Sequence, residues 1–364
     1  MAKVTITRLA RELGLSVCTI NKALNNKPRI SPDTRARVLE AATRLGYRPN
    51  RLAQALARPV LSVGLVYPET WPSHFGLLIR GACQRLGELQ DHRVQAELRP
   101  VPAASRGAEF LATIEELAAR RVAGVLLCLG RYDQRYLQAA WVCLAEAKIP
   151  FVFLGADVPT VPRLTAVWHD CRRCGRLAAE LLALLAGDRP AAILIGTERG
   201  VPDHELKIAG FRAQAQESRL QFAGVYETLD EPAEAYPAAR KLFAEHPDVA
   251  GIYIGSENAA GICRYLVDHG LAGRTRVVAT GISADILQSL QVGVVQASLC
   301  QCQHRQGRLG VEALYGYLQD GKVPAPEMLV PPELVLRNTI DQWTQLKTEL
   351  GELPTPPGGW PVPS

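Results

Sequence analysis

Long apolar runs are missing from this 364-residue chain, and none reaches the roughly 20 residues that a membrane-spanning helix needs. The opening Met1-Ala2-Lys3-Val4-Thr5 leads into no apolar leader core, so the chain is expected to stay in the cytoplasm. A disulfide framework is missing as well. Cys83, Cys128, Cys143 and Cys263 are scattered through apolar segments, as buried thiols of reduced proteins are. Cys171/Cys174 has no matching second pair, and Cys300/Cys302 has the wrong spacing, so no metal site is expected. No G-x-G-x-x-G follows the first strand-like run, and neither a G-x-x-x-x-G-K-[ST] loop nor a G-x-S-x-G elbow occurs. Without these, and with no nucleophile or acid-base constellation, no catalytic residue, cofactor or enzymatic activity is expected.

What is present is a globular composition, 48% hydrophobic and 21% charged, which excludes a disordered chain. The length exceeds what one core usually holds and implies two or three domains. The net charge of +5 is unevenly spread. Residues 1–60 hold twelve Lys/Arg against Glu12, Asp33 and Glu40, a net of +9, while the remaining 29 basic and 33 acidic residues leave −4. A basic head on a mildly acidic body is the footprint of a polyanion-binding module.

The head reads VTITRLARELGLSVCTINKALNNKPRISPDTRARVLEAATRLGYRPNRLAQALA from Val4. Thr5 caps a helix whose apolar stripe is Ile6, Leu9, Ala10 and Leu13, and Gly14 ends it. Ser16 caps a second helix, carrying Val17, Ile20, Ala23 and Leu24. Ser31-Pro32 opens a third, whose buried face is expected from Val38, Leu39, Ala42 and Leu45, with Gly46 closing it. Helix, short turn with glycine, helix is the helix-turn-helix pattern.

Through Gly46-Tyr47-Arg48-Pro49-Asn50-Arg51-Leu52-Ala53 the stretch resembles the lactose-repressor family of bacterial regulators. The resemblance implies that the second helix enters the major groove. Val17, Cys18 and Lys22 would then read bases, with Arg29 adding a base or phosphate contact. Thr5, Ser16, Thr19, Asn25 and Thr34 would bind phosphates. Short hydroxyl and amide side chains at helix starts suit phosphate oxygens, and longer polar ones reach base edges. For Val17 core packing is the alternative. Lys22 stands where arginine is usual and donates without a rigid fork, while Val17 and Cys18 suit a thymine methyl. Residues 50–57 resemble the family's hinge helix: too short to be helical alone, they would pair in a dimer, with Asn50, Ala53 and Leu56 in the minor groove and Leu56 as the wedge.

After Pro59 apolar strand-like runs (62–67, 124–129, 150–155, 191–196, 251–256, 276–281) alternate with amphipathic segments such as 75–90, 107–119, 170–186, 206–217, 233–245 and 258–269. That alternation builds parallel sheets covered by helices, and roughly ten such units suggest two similar lobes. The fold expected is α+α/β: a helix-turn-helix headpiece plus a two-lobed α/β effector domain like the periplasmic binding proteins. The resemblance spans about 61–340 and is closest in DCRRCGRLAAELL, PDHELKIAGFR, HPDVAGIYIGSENAAGI and QCQHRQG. It implies effector contacts at Asp170, Arg173, Asp203, His204, Asn258 and Gln301, groups suited to sugar or polyol hydroxyls. Asp170 could instead cap its helix, His204 could lie at the surface, and Arg173 could pair with an acid. Trp71, His74 and Phe75 offer stacking surface for a ring. Gly281 stands where many relatives carry an Asp that grips sugar hydroxyls, and Gln303 where proline is usual.

The domains expected are 1–49 headpiece, 50–60 hinge helix and linker, 61–345 effector domain and 346–364 Pro-rich tail. The first lobe would take about 61–165 and 293–325, the second about 166–292 and 326–345. Ile340, Trp343, Leu346 and Leu350 form a short stripe, but no sustained heptad repeat exists, which favours a homodimer. Its partners would be double-stranded operator DNA and a small polar effector, with no membrane. The function implied is a ligand-responsive regulator, by family default a repressor. A solute receptor without a regulatory role, or an α/β enzyme with a DNA-binding head, would be the alternatives.

Overall fold

The computed structural model describes residues 5–24, 30–45, 60–69, 72–187, 189–197, 200–256 and 259–349. Three helices form the headpiece: α1 (Ile6–Leu13), α2 (Val17–Leu24) and α3 (Pro32–Arg44). Each starts on a hydroxyl. Arg8 N donates to Thr5 Oγ1 at 3.3 Å, Thr19 N to Ser16 Oγ at 3.1 Å and Thr34 N to Ser31 Oγ at 3.2 Å. Such caps satisfy backbone donors that a helix start leaves unpaired. Gly14 ends α1 at φ 63°, a conformation that costs glycine nothing. Leu9, Ala10, Ile20, Ala23, Val38, Ala41 and Ala42 make the headpiece core. Leu39, expected inside, is 47% exposed, because the buried face runs through 38, 41 and 42 and position 39 lies about 100° away around the helix.

The body contains two six-stranded sheets. The first has the order β11-β5-β4-β3-β1-β2, from β1 (Leu61–Pro68), β2 (Val94–Val101), β3 (Gly124–Cys128), β4 (Phe151–Leu154), β5 (Thr165–His169) and β11 (Glu327–Val330). The second has the order β12-β10-β9-β8-β6-β7, from β6 (Ala191–Ile195), β7 (Phe222–Glu227), β8 (Gly251–Ile254), β9 (Arg276–Thr280), β10 (Ala297–Cys300) and β12 (Glu333–Val335). β12 pairs antiparallel to β10, whereas β1–β3, β3–β4, β6–β8 and β8–β9 are parallel. Central strands buried on both faces read as continuous Val/Ile/Leu runs, as parallel sheets require. In each sheet the strand order reverses beside the first strand, at β1/β3 and at β6/β8. The C-terminal ends of such strands form the crevice where open α/β sheets bind ligands.

The chain changes sheets after His169, after Cys300 and between Val330 and Glu333. This corrects the expected lobe limits: β5 and β11 complete the first sheet and β10 the second. Pairing decides the point. Ala166 pairs with Glu327 and Phe153 within one sheet, and Leu299 with Thr280 within the other.

A duplicated helix pair underlies the two lobes. In the first lobe α4 (Pro72–Glu88) packs on α12 (Gln303–Asp320), and in the second α7 (Cys171–Ala186) packs on α8 (Pro202–Glu217). Both crossings are glycine-mediated. A Cβ at Gly81 would strike the His304 carbonyl, and one at Gly307 the Leu78 carbonyl. At Gly210 it would strike the Arg172 carbonyl, and at Gly175 the Lys207 carbonyl. A bidentate ion pair flanks each crossing, Arg308–Glu88 at 2.7 and 3.0 Å and Arg176–Glu217 at 3.1 and 2.6 Å. The residues follow one register: G-R-L-x-x-E at 175–180 recurs at 307–312. Between the pairs, the remaining helices of the sheet faces are α5 (Ala108–Ala119), α6 (Gln134–Glu146), α9 (Pro232–Glu245), α10 (Ala259–Asp268) and α11 (Ala284–Gln291), with α13 (Ile340–Glu349) last.

Candidate nucleic-acid interface and effector cleft

On the headpiece, Val17 is 44% exposed, so its side chain is not core packing. Cys18 is exposed and Lys22 partly so, on the same short helix α2 that buries Ile20 and Ala23 on its other face. The hydroxyls of Ser16 and Thr19 meet at 2.8 Å, and those of Ser31 and Thr34 at 2.7 Å, each pair at a helix start where backbone N–H groups and the helix dipole attract anions. Thr5 is exposed at the start of α1. Asn25, Arg29, Asn50, Ala53 and Leu56 lie outside the described residues.

In the body, the crevice of the second lobe is built by Thr197 after β6 and by Gly255 and Ser256 after β8. Thr197 Oγ1 and Ser256 Oγ are buried and make no hydrogen bond among the described residues. Buried hydroxyls are ordinarily paired, so two unpaired ones at a strand-end crevice mark where a polar ligand group fits. His204 is 6% exposed, which places it in the interior and not on the surface. Its Nδ1 lies 3.2 Å from Thr197 N and 3.1 Å from the Thr197 carbonyl, and burial pushes its pKa down.

Asp203, one residue earlier, faces a group that the sequence reading missed. Lys207 is 2% exposed and donates from Nζ to Asp203 Oδ2 at 3.2 Å and to the Gly255 carbonyl at 3.0 Å. Burial is the largest single influence and works against its charge, but the adjacent Asp203 carboxylate, with smaller contributions from Tyr253, Cys171 and Cys174, overrides it and holds the lysine above its ordinary range. Burial likewise opposes the charge on Asp203, and Lys207, then His204 and His169, override it and hold the carboxyl below the usual carboxylate range. The signal was legible in one respect. An acid and a base four residues apart share a helix face, and between Pro202 and Phe211 that spacing fits Asp203 and Lys207.

Asp170 and Arg173 settle into the alternatives read for them. Asp170 caps α7, accepting from Arg173 N at 2.9 Å, and Arg173 Nε returns to its carboxylate at 3.3 Å. Both line a groove of about 580 Å³ with Arg176, Glu180 and Gln214 on the outside of α7 and α8. Gln301 is 4% exposed at the second chain crossing. It donates to His169 Nε2 at 3.1 Å and accepts from Gln303 Nε2 at 3.1 Å, so its amide joins two crossings to each other. His169 and Gln301 are equivalent positions in the duplicated register. Phe75 is buried in α4. Trp71, Asn258 and the side chain of His74 lie outside the described residues. Gly281, at φ 94°, has only Ile286 within reach of an added Cβ, leaving the end of β9 bare.

Comparison with known proteins agrees with both halves. Residues 5–50 match the family described as bacterial regulatory proteins, lacI family, and residues 64–322 the periplasmic binding protein domain. The chain is 24% identical over 345 residues to catabolite control protein A of Priestia megaterium, covering 92% of this chain and 99% of that one. It is 37% identical over 196 residues to the HTH-type transcriptional regulator AglR of Rhizobium meliloti, 52% of each. Among solved structures, a periplasmic ribose ABC transporter protein from Conexibacter woesei superposes with a TM-score of 0.71 at 21% identity, covering 81% of this chain and 98% of that one. Head and body together make the chain a member of the lacI family of bacterial regulatory proteins, a DNA-binding transcriptional regulator whose second domain has the periplasmic binding protein fold.

Proposed function

We propose that this regulator represses genes for the use of a sugar or polyol, gripping a palindromic operator as a homodimer and responding to a small hydroxylated ring bound between its lobes. The observation that carries the effector half is the pair of buried, unpaired hydroxyls, Thr197 Oγ1 and Ser256 Oγ, at the switch point of the second sheet. A ring hydroxyl both donates and accepts, so it satisfies such groups without bringing a charge into the cleft. Asp203, Lys207 and His204 then fix the floor on which those hydroxyls sit. Trp71, His74, Phe75 and Asn258 complete the proposed lining, with Gln301, Asp170 and Arg173 acting at the lobe crossings and the helix cap. Headpiece contacts follow the division given above: Val17, Cys18, Lys22 and Arg29 to bases, and Thr5, Ser16, Thr19, Asn25 and Thr34 to phosphates.

Coupling requires a ligand that binds two lobe arrangements with different affinity, and DNA then responds by the same factor. A thermal-shift screen of sugars, polyols and nucleobases, followed by operator titration with each hit, tests the reading. At one hundred times Kd a ligand contributes about 2.7 kcal/mol, which raises the melting temperature of a domain this size by about 3–5 °C. A hit that stabilises the fold and leaves operator affinity unchanged refutes the switch and favours a receptor without a regulatory role. Turnover of a hit would favour an enzyme.

A further inference from the structure

The two lobes are joined at the cleft by a charged pair that no part of the reading above uses. Arg131 follows Gly130 in the loop between β3 and α6, at the switch point of the first sheet, and Asp230 lies in the loop between β7 and α9 of the second lobe. Arg131 Nη2 donates to Asp230 Oδ2 at 2.8 Å across 99 residues of sequence. The arginine side chain is 57% exposed and the aspartate 24%, so water and salt reach the pair.

Asp230 is held in place by its own lobe. Thr228 N donates to the Ile195 carbonyl and Leu229 N to the Gly196 carbonyl, both at 2.7 Å. Thr228 Oγ1 adds a second bond to Ile195 O at 3.2 Å. Leu229 and Asp230 are both left-handed, at φ 52° and 53°, a strained arrangement that persists only where its surroundings over-determine it. A side chain at Gly196 would overlap the Asp230 carboxylate, so the bare glycine is what seats it. The carboxylate also acts electrostatically on His204, which ties it to the cleft floor.

We propose that Arg131 and Asp230 form a latch across the effector cleft, an attraction that draws the lobes together with or without effector. This inference rests on the cleft being the effector site and adds what regulates its closure. A ligand that binds one lobe arrangement has its apparent affinity reduced by the fraction of molecules in that arrangement. The latch raises that fraction. Partly exposed ion pairs shift such an equilibrium by about two- to fivefold, enough to tune closure and too little to lock it.

The test uses the full chain with no ligand added. Asp230→Asn and Arg131→Gln are compared with wild type and with the charge reversal R131D/D230R by small-angle scattering and amide hydrogen exchange. Each single variant should enlarge the radius of gyration and speed exchange at 130–132 and at 196–197 by about two- to fivefold. About 1 M salt, where screening acts over about 3 Å, should move wild type the same way, and the reversal should return toward wild type. Unchanged scattering in both single variants, or acceleration confined to the mutated loop, overturns the latch. So does a reversal that recovers nothing. These readouts involve no effector, so a failed ligand screen would count against the sugar reading and leave the latch standing.

Discussion

Replacing Lys207 by methionine tests the energetics of the cleft floor. The change keeps the aliphatic length and removes the ammonium, leaving Asp203 Oδ2 and the Gly255 carbonyl without the donor they share. Removing one partner of a buried ion pair costs about 3–5 kcal/mol. Water reaches Asp203 in part, so the lower end, about 3 kcal/mol, is expected for Lys207→Met. Asp203→Asn should cost more, because the 2% exposed ammonium is then left without a counter-charge.

Asp203→Asn should also differ from wild type in its pH dependence. In wild type, the raised Lys207 contributes stability that is complete below the ordinary lysine value of about 10.4 and is lost only as pH rises through the higher folded value. The depressed Asp203 contributes stability that is present above about 3.9 and is lost as pH falls through the lower folded value. The pair therefore adds no slope between about pH 5 and 9. In Asp203→Asn, burial acts on Lys207 unopposed and its folded pKa drops below the unfolded one, so stability rises with pH. Urea unfolding at pH 6 and pH 9 reads both effects. Replacing the pair together, D203L/K207M, should cost about 1 kcal/mol or less. A Lys207→Met cost below about 1 kcal/mol, or a flat profile for Asp203→Asn, would refute the buried-pair account.

Gly307→Ala pushes a methyl into the Leu78 carbonyl and should cost at least about 1–3 kcal/mol in denaturant melts. Gly316→Ala in the same helix meets open space and should gain about 0.5–1 kcal/mol. Ile20→Ala, fully buried, should destabilise the headpiece by about 2–5 kcal/mol, whereas Val17→Ala should leave its melting unchanged and alter operator base preference in a binding-site selection. Leu56→Ala should weaken operator binding far more than binding to random duplex; equal losses in the two titrations would rule out a minor-groove wedge.

The strands legible in the sequence were those with uninterrupted apolar runs: β1, β3, β4, β6, β8 and β9. β2, with Gln95, Glu97 and Arg99, and β7 and β11, with Glu227 and Glu327, lie at sheet edges where one side meets solvent, so their pattern is mixed. β5 and β10 are central and wholly buried, but Thr165, His169 and Ser298 break up their apolar text. Headpiece caps were legible because a hydroxyl three residues before a helical amide acts locally. The lobe limits were not, since which sheet a strand joins is set by its pairing partners, some as remote as β11 from β5, and not by its own residues. Lys207 escaped for a related reason: a lysine reads as surface until the carboxylate and carbonyl that surround it are known.

The duplicated helix pair separates frame from function within one chain. Positions that hold the crossing agree between lobes: Gly81 with Gly210, Gly307 with Gly175, Arg308 with Arg176 and Glu88 with Glu217. Positions one and two turns earlier, where the same helices reach the strand ends, do not agree. Leu78 corresponds to Lys207 and Phe75 to His204, so a purely apolar pair in the first lobe stands opposite a charged and polar pair in the second. Had packing alone governed those positions, the apolar choice would have served both lobes, since a buried ion pair seldom stabilises more than well-packed hydrophobic residues do. The departure at Lys207 and His204 falls beside Thr197, Gly255 and Ser256. At these two positions the charged and polar pair lies in the second lobe and the apolar pair in the first, while Arg131 of the first lobe pairs with Asp230 of the second.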